Sequence, residues 1–132
     1  MKINWYFGLY TSLRLNGLTH EFFDIIFVLN DKIFRPKEIK ISGEKVKFIK
    51  LKEKLFGFGI INKNGIKISY LEKTILDMVY IFRYRNINEE RIISIIEDYF
   101  EKLDKKKLKE YLKLYPESVS RILNKLHFNS IE

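Results

Sequence analysis

The chain has 132 residues, 25 basic and 17 acidic side chains, a formal charge of +8 and no cysteine. That length suits one domain with a real core, and an apolar fraction of 46% excludes a disordered chain. Without cysteine there is no disulfide, no thiolate metal site and no cysteine nucleophile. Apolar runs such as Ile25 to Leu29 are far shorter than the roughly 18 residues of a membrane span. The opening MKINWYFG lacks the apolar core and cleavage site of a signal peptide, so the expectation is a soluble cytoplasmic protein with no membrane contact.

The charge is uneven. Residues 31–54 carry nine basic and four acidic side chains and residues 102–132 carry eight and four, while residues 1–30 and 55–101 are near neutral. Clustered lysines suit nucleic acid or an acidic protein partner. The chain also lacks Ala and Gln and is rich in Ile, Lys and Asn, the bias of an AT-rich genome, which accounts for part of the basicity.

Taken in order, Trp5 to Thr19 reads as a helix, with Tyr6, Leu9, Tyr10 and Leu13 on one face and Gly17 as its stop. Phe22 to Leu29 is apolar on both faces apart from Asp24, which predicts a central strand. Lys37 to Lys52 reads as a hairpin turning at Gly43-Glu44, with Ile41 opposite Val46 and Ile39 opposite Phe48. After Phe48 the apolar parity shifts to Ile49 and Leu51. That predicts a bulge, which would gather Lys40, Lys47, Lys50 and Lys52 into one basic stripe.

Phe56, Phe58 and Ile60 alternate with Gly57 and Gly59 as a further strand. The turn at Asn62 to Gly65 is expected to be a three-residue loop, which would put Ile60 on the face of Ile68. Ile66, Ile68 and Tyr70 alternate as a strand, and Leu71, Ile75, Met78, Val79 and Phe82 then take up helical spacing. Ser69 and Glu72 form an S-x-x-E capping box at that junction.

Three more helices are predicted. One is capped by Asn88. A second opens at Asp104 and carries Lys105, Lys106, Lys107 and Lys109 near its start. The last has Pro116 in its first turn and Val119, Ile122, Leu123 and Leu126 inside. Cations at a helix N-terminus are mildly unfavourable, so that cluster is a candidate partner or nucleic-acid contact, with a solvated face as the plain alternative.

No phosphate-binding glycine motif and no H-E-x-x-H is present. His20 and His127 have neither Cys support nor helical spacing, so neither a metal nor a cofactor is expected. Asp24 followed by Glu38 and Lys40 has the outline of a PD-(D/E)xK nuclease site, but lacks its preceding Pro-Asp.

Several stretches together resemble the AbiEi family, the antitoxins of abortive-infection toxin–antitoxin systems. They are YFGLYTSLRLNGLTH, in which Leu15, Gly17 and Leu18 match and Asn16 replaces the usual His; an FG-containing strand; T-I-L-D at Thr74 to Asp77; and Arg121-Ile122-Leu123, followed by Asn124 where Gly is usual. The resemblance covers most of residues 5–126. It implies an α+β effector domain over residues 1–132, with an N-terminal helix, about five antiparallel or mixed strands and a helical final third. It also implies an antitoxin-type regulator without enzymatic activity, opposing a nucleotidyltransferase toxin encoded alongside. Only four residues precede the first expected helix, so the family's DNA-binding winged helix is expected to be absent. The competing expectation is a nucleic-acid-binding module or regulator fragment built on the basic hairpin, with weak nucleic-acid binding at most if the antitoxin reading is right.

Overall fold

The structure is a computed structural model and describes residues 2–19 and 24–131, with side chains through Lys125. It is α+β, with five helices and a six-stranded mixed sheet in the order β3-β4-β2-β1-β6-β5. The elements are β1 (Trp5–Phe7), α1 (Leu9–Leu15), β2 (Ile25–Asn30), β3 (Ile39–Ile41), β4 (Glu44–Lys50), β5 (Ile60–Lys63), β6 (Ile66–Ser69), α2 (Leu71–Tyr84), α3 (Glu89–Glu97), α4 (Lys105–Leu112) and α5 (Glu117–Ile131). The chain divides into two compact units, Met1–Thr74 and Ile75–Glu132, with the boundary inside α2.

In the first unit, Trp5 to Phe7 is a strand and not the start of a helix. β1 pairs antiparallel with β2 and parallel with β6, so it lies inside the sheet. Tyr6 mimicked a helix-face position because it is fully buried, but its burial comes from the strand. The helix begins only after Gly8, whose amide donates to the Phe27 carbonyl, and its first residue, Leu9, stands at φ 52°. At its end the Leu18 amide reaches back to the Leu13 carbonyl across Gly17 at φ 71°. That is the Schellman closure, and it needs a left-handed residue where Gly17 stands.

β2 is an interior strand as expected, while Phe22 and Phe23 lie outside the described residues. The hairpin exists with a different register. Ile39 faces Val46 and Ile41 faces Glu44, so the two-residue loop is Ser42-Gly43, both at positive φ. There is no bulge after Phe48: β4 pairs with β2 residue by residue from Lys45 to Lys50. The parity shift has another cause. Val46 on one face of β4 and Lys47 and Ile49 on the other are all buried, the pattern of an interior strand.

Phe56 closes a 3-10 turn (Glu53–Phe56), and the strand starts later, at Ile60. Gly59 at φ 67° makes the corner between them. The loop before β6 is the two-residue Asn64-Gly65, with φ 54° and 88°, so Ile60 faces Ser69 and Ile61 faces Ile68. The parity expectation fails here. A type I′ turn matched to strand twist outweighs the burial of Ile60, and Ile61 takes the place beside Ile68. Ser69 is the last residue of β6. The N-cap position belongs to Tyr70, whose carbonyl accepts the Thr74 amide.

In the second unit, α2 continues with Ile75, Leu76, Met78 and Val79 buried at 0% exposure. Asn88 caps α3 by accepting the Arg91 amide, and Asp104 caps α4 by accepting the Lys106 and Lys107 amides. Pro116 sits just ahead of Glu117, with its carbonyl accepting the Val119 amide. Val119, Ile122 and Leu123 are buried as predicted, and so is Leu108 of α4, while the Leu126 side chain lies outside the described residues.

Candidate functional site

The motif residues are spent on the framework. Ser12 of α1 donates to the Ser69 carbonyl at 2.7 Å, and Asn16 donates to the same carbonyl at 3.1 Å. Ser69 Oγ lies 2.6 Å from Thr74 Oγ1, which itself reaches the Tyr70 carbonyl at 2.9 Å. One proton assignment serves all three hydroxyls: Ser69 to Thr74, Thr74 to Tyr70 and Ser12 to Ser69. Asn16 Nδ2 adds a 3.3 Å bond to Ser12 Oγ. The four residues form a joint that ties the end of α1 to the strand-to-helix corner. It contains no base that would turn Ser12 into a nucleophile.

Asp77, the last polar residue of T-I-L-D, is fully buried and accepts the Tyr115 phenol at 2.6 Å. Burial first, then the Asp77 charge and the hydrogen bond to it, push the Tyr115 phenol well above the usual tyrosine range. Leu15, at 49% exposure, and Gly17, Arg121 and Asn124 are the exposed residues of the motif positions named above.

The basic stripe does not form as expected. Lys40 faces Lys45 across the hairpin, and both share a sheet face with Lys47. Lys50 is on the opposite face, and Lys52 lies beyond the strand, ahead of the 3-10 turn. Lys47 is buried at 8% exposure and donates to the carbonyls of Arg35 and Pro36, so it is a structural residue. Lys40, Lys45, Lys50 and Lys52 are exposed. Lys45 pairs with Asp24 at 3.4 Å. In α4, Lys105, Lys106, Lys107 and Lys109 are all exposed, and Lys105 folds back onto the Phe100 carbonyl at 2.7 Å, 4.2 Å from the Phe100 ring centre.

The nuclease outline gains no support from placement. Asp24 and Glu38 are both exposed, Asp24 is in the ion pair with Lys45, and Lys40 stands on the edge strand β3. Among the described residues no three His, Cys, Asp or Glu side chains gather as a metal would need. His20 and the His127 side chain lie outside those residues. No helix among them is long and apolar enough to cross a membrane.

Sequence reasoning missed one feature. Trp5, Phe56, Phe58, Ile60 and Lys67, with Asn4 and Asn62, line an open cavity of about 300 Å³. Lys67 Nζ stands 5.3 Å from the Trp5 ring centre. Behind Phe58 lies Lys73, fully buried, with its ammonium 4.4 Å from the Phe58 ring centre and 5.0 Å from that of Tyr6. The signal was present in the sequence: a lone tryptophan and an F-G-F-G run, both absorbed into expected regular elements.

Neither a scan of the chain against protein-family models nor a search of curated proteins returned a match.

Proposed function

We propose that this chain is an antitoxin-type regulatory domain of the AbiEi kind, without enzymatic activity, which opposes a nucleotidyltransferase toxin by surface contact. The observation that carries the reading is the fate of the motif residues. Ser12, Asn16 and Thr74 are locked in one hydroxyl joint, and Asp77 is bonded to Tyr115. Polar side chains used up in this way hold a scaffold and leave action to the surface. The exposed lysines Lys40, Lys45, Lys50 and Lys52 are the candidate contacts. Lys40 stands directly opposite Lys45, which is paired with Asp24, and leaves its own ammonium to an acidic partner. Lys40 on an edge strand also guards that edge against unwanted pairing.

The test is co-purification of the chain with the nucleotidyltransferase encoded beside it. The reading expects a stable complex in which the toxin is inactive. A protected toxin without a complex overturns contact as the mode. The second reading is a nucleic-acid-binding module, favoured by the same exposed lysines. It predicts affinity that falls linearly in log salt, with the slope dropping by about one per lysine removed.

A further inference from the structure

The cavity beside β5 belongs to neither reading. Its wall combines three aromatic rings, Trp5, Phe56 and Phe58, with one ammonium, Lys67, and two carboxamides, Asn4 and Asn62; no lining residue is acidic. Asp31, the carboxylate that holds Asn4, is occupied. It accepts both the backbone amide and the side-chain amide of Asn4, at 3.0 and 2.8 Å. Burial pushes the Asp31 carboxyl up, but those bonds and Lys32 outweigh it and hold the group ionised below the usual carboxylate range.

We infer that this cavity binds a nucleotide, with the base against the aromatic wall and the phosphate on Lys67. Three features select that chemistry. Flat rings in an open slot favour a flat π-system, because stacking is sequence-tolerant and needs no polar partner. The Lys67 ammonium at the aromatic wall, with no acidic residue in the lining, makes the slot electropositive and calls for an anion. The carboxamides serve the base edge. Asn62 spends its Oδ1 on the Gly65 amide and keeps its NH2, and Asn4 spends its NH2 on Asp31 and keeps its Oδ1. One donor and one acceptor remain for a heteroaromatic ring. A volume of about 300 Å³ fits a single nucleotide and excludes a protein helix. On binding, Lys67 leaves the indole face for the phosphate.

The same chemistry is presented by a free mononucleotide and by the end of a single strand, and the test separates them. Trp5 is the only tryptophan, so its emission reports on this slot alone. The full chain is titrated with 5′-AMP, 5′-GMP, guanosine, inorganic phosphate and a 5′-phosphorylated RNA tetramer. Saturable quenching by a mononucleotide is expected, with guanosine about tenfold weaker and phosphate without effect. Lys67→Gln should weaken nucleotide binding about tenfold and guanosine binding hardly at all, while Lys67→Arg restores the nucleotide. Equal affinity for mononucleotide and tetramer assigns the slot to free nucleotide; tighter tetramer binding assigns it to a strand end. Quenching that stays linear and matches that of free N-acetyltryptophanamide overturns the inference. So does a nucleotide affinity unchanged by Lys67→Gln.

Discussion

The Tyr115 hydroxyl donates to the Asp77 carboxylate at 2.6 Å, and both side chains are buried. A carboxylate taken out of water keeps its charge only where donors replace the solvent, and this phenol is one of those donors. Tyr115→Phe keeps the ring, including its edge-on contact with Tyr80 at 6.1 Å, and removes only the hydroxyl. It should cost roughly 1.5–3 kcal/mol at neutral pH, the usual range for a hydrogen bond to a charged group. Urea unfolding of the two proteins measures the difference.

The same pair predicts behaviour in alkali. Burial raises Tyr80, with the neighbouring Tyr84 adding to it, and burial and Asp77 raise Tyr115. A phenol whose folded pKa lies above its unfolded value stabilises the fold fully below about pH 10, and that contribution is lost as pH rises further. At the acid end the sign reverses. Glu89, held low mainly by the Lys125 hydrogen bond, and Asp31, held low by Asn4 against the effect of its burial, contribute above about pH 4. That share disappears as pH falls through their folded values. Urea midpoints across pH should give a plateau with a fall at each end, and Tyr115→Phe should make the alkaline fall shallower.

Thr74 sits at the centre of the joint between α1 and the strand-to-helix corner. Thr74→Val preserves shape and leaves the Ser69 hydroxyl without its acceptor in a buried site, at a cost of about 1–3 kcal/mol. Asn16→Ala, at a half-exposed position, should cost less, near 1 kcal/mol. Thermal unfolding of the two variants checks the order, and an Asn16→Ala loss exceeding that of Thr74→Val would refute it.

The lysines divide by burial. Lys47→Ser removes a buried ammonium that serves two backbone carbonyls and should destabilise by roughly 2–3 kcal/mol. Lys40→Ser, on the exposed edge strand, should change stability by under about 0.5 kcal/mol. Denaturant midpoints for the two single variants separate them.

Much of the fold was legible because local signals agreed with it. The caps at Asn88 and Asp104, the stop at Gly17 and the helical spacing from Leu71 to Phe82 each depend on neighbours within a few residues. The failures share a cause in long-range pairing. Trp5 to Phe7 became a strand because β2 and β6 flank it, and β4 showed two apolar parities because it lies inside the sheet. The hairpin registers were set by Ser42-Gly43 and Asn64-Gly65 in turns matched to strand twist, and an argument from side-chain parity missed both. The joint was half legible: Thr74 and Asn16 were singled out by motif, while Ser12, 62 residues away from Thr74, had no local mark. The cavity was legible only in its parts, the lone Trp5 and the F-G-F-G run, since its walls are brought together from β1, β5, β6 and the chain around the 3-10 turn.

Growth rescue reads out whether this chain opposes the toxin through its exposed lysines. The chain is co-expressed with the nucleotidyltransferase encoded beside it, as the natural sequence and as the Lys40→Ser, Lys50→Ser, Lys52→Ser triple variant, with folding checked by circular dichroism. The natural chain is expected to restore growth, and the triple variant, folded and equally abundant, to rescue less well and to bind the toxin more weakly. Absence of a nucleotidyltransferase reading frame beside it, or a toxin whose effect the natural chain leaves unchanged, would contradict the claim.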